Sequence, residues 1–76
     1  MKFYFTFGSD PGFPWGRNDY VVVDGKDRSD AVSKYNRKYP PRHDNLVNCA
    51  FIYPWAEFRG IKSKYYRNVG PADVIR

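Results

Sequence analysis

Tyr20-Val21-Val22-Val23-Asp24-Gly25-Lys26-Asp27-Arg28-Ser29-Asp30-Ala31-Val32 decides the fold, because within it a strand turns into a helix. Three successive valines favour extended backbone, where a branched Cβ packs well. Asp24-Gly25 then supplies turn chemistry. Asp27 or Ser29 can cap free backbone N–H groups, and Asp30 suits the first turn of a helix. Ala31, Tyr35 and Tyr39 recur at i, i+4 and i+8, with Val32 beside them, and form one apolar stripe. Lys34, Arg37 and Lys38 crowd the C-terminal half, where cations complement the helix dipole. Pro40-Pro41 stops the helix, since a proline disfavours α conformation in the residue before it.

Toward the N-terminus, Lys2 to Phe7 alternates with period two and reads as a strand. Phe3, Phe5 and Phe7 face the core in this reading, and Tyr4 and Thr6 lie on a side that tolerates water. Gly8 to Asn18 holds three glycines and two prolines and is a loop. Toward the C-terminus, Arg42 to Leu46 is a polar connection and Val47 to Tyr53 the third strand. Pro54 ends that strand and can open a second helix at its first turn. Trp55, Phe58, Ile61 or Lys62, and Tyr65 follow helical spacing, with Gly60 costing the helix about 1 kcal/mol against alanine. Val74 and Ile75 should tuck back onto the domain.

The expected architecture is α+β, a single domain over residues 1–76 in the order β-β-α-β-α. The β-α-β step favours a right-handed crossover between parallel strands. That predicts a three-stranded mixed sheet with the first strand in the middle. Both helices are expected on one face, the face carrying Phe3, Phe5 and Phe7. The opposite face, with Tyr4, Thr6, Ala50 and Ile52, would then be open to a partner or a second copy, so the chain is read as a monomer or a homodimer.

The bulk properties bound the function. Aromatic residues make up 20% of the chain, enough to give a short domain a rich core. A lone cysteine, Cys49, excludes an internal disulfide and a cysteine-based zinc site of ordinary ligand count. Together with a strand-like start directly after Met1, this predicts a reducing, cytoplasmic setting without a signal peptide. No apolar run approaches the ~20 residues that span a bilayer, so no membrane partner is expected. The net charge of +5 is uneven: −1 over residues 1–24 and +6 over residues 25–76. Such asymmetry fits an acidic partner, either nucleic acid or an acidic protein surface, or else a solvated charged face.

Reactive chemistry finds little support in the residues. His43 lies in a polar loop and Cys49 in a strand, where a buried thiol is disfavoured as a thiolate. Seven of the eight acids are aspartates at turns, caps and strand ends. Asp24, Asp27 and Asp30 lack the alternating spacing of a calcium loop and read as a helix start. Gly8-Ser9-Asp10-Pro11-Gly12 lacks the Gly-Lys-Ser/Thr ending of a phosphate loop. No catalytic, cofactor or metal residue is assigned.

Two binding features remain. Phe13-Pro14-Trp15-Gly16-Arg17 is an aromatic loop tip with Phe13, Trp15 and Arg17 as candidate contacts. Such residues dominate interface hot spots, though Phe13 and Trp15 can equally close over the core as a lid. The second feature is basic helical surface. Lys34, Arg37, Lys38 and Arg42 form one expected cluster; Arg59, Lys62 and Tyr66, with Lys64 and Arg67 near, form another. Basic residues interleaved with tyrosine suit phosphate contact and base stacking, and suit an acidic protein groove as well.

The phrases Phe5-Thr6-Phe7-Gly8-Ser9, Gly16-Arg17-Asn18-Asp19-Tyr20 and Asn48-Cys49-Ala50-Phe51-Ile52-Tyr53 resemble short proteins carried by phages and prophages of gut bacteria. The resemblance implies an accessory protein of a mobile element, acting in the host cytoplasm by occlusion, as an anti-CRISPR or other anti-defence inhibitor does. Its partner would be an acidic protein surface or a nucleoprotein complex. Direct nucleic-acid binding is the alternative. The resemblance carries over no functional residues.

Overall fold

The computed structural model describes residues 1–76. Its elements are β1 (Lys2–Thr6), β2 (Tyr20–Asp24), α1 (Arg28–Lys38), β3 (Phe51–Pro54), α2 (Trp55–Tyr65) and β4 (Asp73–Ile75). The four strands form one mixed sheet in the order β3-β1-β2-β4, and the fold is a small, compact α+β arrangement. β1 pairs antiparallel with β2 (Phe3 opposite Val23, Phe5 opposite Val21) and with β3 (Phe5 opposite Ile52). β2 and β3 therefore run in the same direction on either side of a central β1, as the crossover rule predicts.

Local signals explain the element ends. Asp27 caps α1, its Oδ1 accepting from the Asp30 amide at 2.8 Å. Asp30 in turn accepts from the Lys26 amide at 2.9 Å. The aspartates of the quoted stretch thus serve the strand-to-helix turn. Gly25 is buried beneath this turn, and a Cβ there would lie 2.8 Å from the Ala31 amide nitrogen. Only glycine fits so close an approach.

Three expectations need correction. The sheet has four strands, because the C-terminal tail does more than tuck in. β4 pairs parallel with β2, Val22 opposite Val74. Lys38 and Tyr39 hold it to α1, with Lys38 Nζ 2.6 Å and the Tyr39 hydroxyl 2.7 Å from the Asp73 carboxylate. The third strand is shorter than Val47–Tyr53. Cys49 donates its amide to the Val47 carbonyl at 2.8 Å, a tight turn that extended backbone cannot make, and the Tyr35 hydroxyl pins the Asn48 carbonyl at 2.8 Å.

The third correction concerns the helices, which lie on opposite faces of the sheet. Ala31 and Tyr35 of α1 pack with Phe3, Phe5, Phe7, Val21 and Val23. Phe58 of α2 packs with Tyr4, Tyr20, Val22 and Tyr66. Alternate residues of a strand point to opposite faces, so these are two separate cores. The unbroken valine run of β2 is the physical reason: a strand covered on both sides reads as continuously apolar. Tyr4 and Thr6 are buried, and the sheet face read as open to a second copy is covered by α2. The exposed edge strand β3 ends in Pro54, which offers no N–H for strand addition.

The β4 clasp makes stability pH-dependent. The Lys38 ammonium, and then the Tyr39 hydroxyl, hold the Asp73 carboxyl below its ordinary value of 3.8. A depressed folded-state value means stabilisation that is present above the unfolded value and lost as pH falls through the folded one. We expect the melting temperature to fall as the pH drops through and below the ordinary carboxylate value of 3.8, and Asp73→Asn to flatten part of that limb. At neutral pH the same substitution should cost about 0.5–1 kcal/mol, allowing for solvent screening. Melting curves of both proteins against pH check this; identical acid limbs would contradict it.

Candidate anion-binding groove

Residues 25–76 carry the excess positive charge, and the structure divides their cations into two kinds. On and after α1 most are engaged. Lys34 reaches Asp30 at 3.8 Å and donates to the Asp24 carbonyl at 2.7 Å. Lys38 pairs with Asp73. Arg42 pairs with Asp10 at 3.3 Å and lies 5.2 Å above the Phe13 ring. Of the four residues expected to form this cluster, Arg37 alone is exposed without a carboxylate in ion-pair range. Such surface pairs contribute little to stability, but they cancel the local field that a polyanion would feel.

The cations of α2 differ. Trp55, Arg59, Lys62 and Ser63 recur at i, i+4, i+7 and i+8 and so share one side of the helix. Phe58 and Ile61 occupy the side that packs on the sheet. Arg67 and Asn68 follow the helix end and close the same depression, a shallow open groove of about 980 Å³. Asn68 adopts the left-handed conformation (φ 61°), which turns the chain there. Arg59, Lys62 and Arg67 have no carboxylate within 4.0 Å. The groove thus joins three unneutralised cations to the side-chain amide of Asn68, and the Ser63 hydroxyl in its wall donates to the Arg59 carbonyl at 3.1 Å.

Trp55 and Gly60 complete it. The Trp55 ring packs against Tyr4, centroids 5.4 Å apart, yet the residue stays 47% exposed. Gly60 lies mid-helix, where glycine is unfavourable, and a Cβ built on it meets nothing within 4 Å. Packing does not require a glycine there. Its effect is to leave the groove wall bare, so that a ligand can approach the backbone closely.

The remaining candidate residues fall elsewhere. Phe13 and Trp15 pack against the α1-side core, Phe13 at 6.3 Å from Phe7 and Trp15 edge-on to Tyr39 at 6.4 Å. Of their two readings, the lid describes these rings. Asp10 and Asp19 accept the amides of Gly12 and Gly16, at 2.8 and 2.9 Å, and tie the loop into turns. The Gly12 amide, then Arg42, hold the Asp10 carboxyl below its ordinary value. Arg17 is exposed in a separate cleft of about 320 Å³ with Phe51, Tyr53 and Tyr65. Lys64 lies over the Tyr65 ring at 5.3 Å, outside the groove.

Tyr66 corrects the sequence reading. Expected on the cationic stripe, it is buried at 6% exposure, packs edge-on to Tyr20 and tilted against Phe58, and donates to the Arg17 carbonyl at 3.3 Å. α2 ends at Tyr65, and the cap residue Tyr66 leaves helical geometry (φ −125°, ψ 34°). Extrapolated helical periodicity therefore misplaces it, and Tyr65 is exposed instead. The sequence reading also missed Trp55, Gly60, Ser63 and Asn68 as groove residues. For Trp55 and Ser63 the signal was the i, i+4, i+7, i+8 spacing that puts Trp55 in line with Arg59; Gly60 and Asn68 carried none in the sequence.

Burial pushes the Cys49 thiol up to about 11, so at neutral pH it is a half-buried neutral thiol. No helix is long and apolar enough to cross a membrane. No family model matches the chain, and no curated protein or solved structure is significantly similar to it.

Proposed function

We propose that this protein is a non-enzymatic docking module that binds an anionic macromolecule through the groove on α2. The observation that carries this reading is the contrast between the two basic regions. Lys34, Lys38 and Arg42 each face an acid or carbonyl of their own chain, whereas Arg59, Lys62 and Arg67 converge on one groove with no acid in range. Unpaired cations side by side repel one another, and an incoming anion relieves that repulsion.

In the setting implied by the likeness to phage-borne proteins, the module would act as an occluding inhibitor of a nucleic-acid-handling defence protein. Its groove would sit on an exposed strand or acidic patch of a nucleoprotein complex. Direct nucleic-acid binding is the second reading, favoured by the half-exposed ring of Trp55 beside the cations.

The test uses a dodecamer of abasic deoxyribose phosphate, which presents charge without bases. Neutralising three phosphates on a single strand predicts a log–log salt slope of about −2. Salt-dependent binding with that slope is the expected result. No binding at low salt, or binding indifferent to salt, would contradict the reading.

A further inference from the structure

Resting on that groove, we infer that its ligand is single-stranded nucleic acid, with a base stacked on Trp55 and its phosphates on Arg59, Lys62 and Arg67. Charge alone does not distinguish a strand from any other polyanion; the aromatic ring does. Trp55 opens α2 and lines the same groove as the three cations. Its indole packs against Tyr4, centroids 5.4 Å apart and planes tilted by 45°, so the ring is anchored. Nearly half of the residue stays exposed, although burial of so large a ring is favourable. A ring anchored by one neighbour and still half exposed offers surface for stacking, and every base has a face that can use it.

Gly60 and Asn68 fit the same occupant. Open space at the Gly60 Cα lets a sugar-phosphate chain approach the helix. Asn68 supplies a neutral hydrogen-bonding group in the groove, while the Ser63 hydroxyl already donates to the Arg59 carbonyl at 3.1 Å. A duplex presents its phosphates but keeps its bases stacked on one another, so Trp55 gains nothing from it unless the helix opens. An acidic protein segment matches the cations but leaves the Trp55 ring unused.

The experiment compares four ligands by competition: a thymidine dodecamer, the abasic dodecamer, a duplex of equal length and a poly-glutamate peptide. Wild-type protein should bind thymidine about 5- to 100-fold more tightly than the abasic chain. Trp55→Leu keeps apolar cover over Tyr4 and should bring that ratio to about one; Trp55→Phe should restore part of it. Circular dichroism confirms that both variants are folded. Equal binding of thymidine and abasic chains, or a ratio unchanged in Trp55→Leu, overturns the inference and leaves the groove reading standing. Duplex or poly-glutamate binding as tight as thymidine also overturns it. Failure of every ligand to bind removes the groove reading itself.

Discussion

Phe58→Ala should remove roughly half of the chain's folding stability at 25 °C. Phe58 is fully buried and stacks on Tyr4 with centroids 4.6 Å apart and planes 7° from parallel. Tyr20, Tyr66 and Tyr53 surround it at 5.1, 5.6 and 6.2 Å. It is the one fully buried side chain that α2 contributes. Removing a buried ring of this kind costs about 3–5 kcal/mol, since the surrounding rings cannot collapse into the gap. A chain of this size holds only about 4–11 kcal/mol in total. The loss is also local: without Phe58, α2 has little to dock it, and the groove goes with it. The expected readout is a strongly lowered thermal transition together with a weakened near-ultraviolet dichroism signal. A melting temperature within a few degrees of wild type would show that the α2-side core does not hold the helix.

The second large effect concerns binding. Arg59→Gln/Lys62→Gln/Arg67→Gln should bind the abasic dodecamer about 100-fold more weakly than wild type. That corresponds to about 1 kcal/mol for each charge-assisted phosphate contact, about 3 kcal/mol together. The salt slope should flatten toward zero, because the cations that displace counterions are gone. None of the three residues pairs with an acid of its own chain, so the fold should be unaffected. Lys34→Gln/Lys38→Gln/Arg42→Gln removes the same amount of charge and is the control. Those side chains face Asp30, Asp73 and Asp10, so their loss should weaken binding only a few-fold through the general field. Equal losses in the two variants would mean that net charge, and not the groove, binds the anion.

Much of the scaffold was legible in the chain before any coordinates. Period-two Phe3, Phe5 and Phe7, the valine run, the Asp27 cap and the Pro40 stop all act through neighbours close in sequence. They placed β1, β2 and α1 to within a residue or two. What misled were features set by distant partners. β4 is a three-residue strand held by Lys38 and Tyr39, more than thirty residues away, and no local propensity reports that. The triple valine could have revealed a sheet covered on both faces, since a half-exposed strand alternates. At the site, the charges of Arg59, Lys62 and Arg67 were visible but their pairing state was not. Lys34 and Arg59 look alike in a sequence, and differ because one lies beside Asp30 and the other beside no acid. Tyr66 and Trp55 exchanged expected roles because the helix ends at Tyr65 and its buried side is narrow.

The most direct test locates the bound anion. Isotope-labelled protein titrated with the abasic dodecamer should show its largest amide shifts at Arg59, Lys62, Ser63 and Asn68. Largest shifts on Lys34, Arg37 and Arg42 or within loop 8–18, with α2 unmoved, would contradict the account.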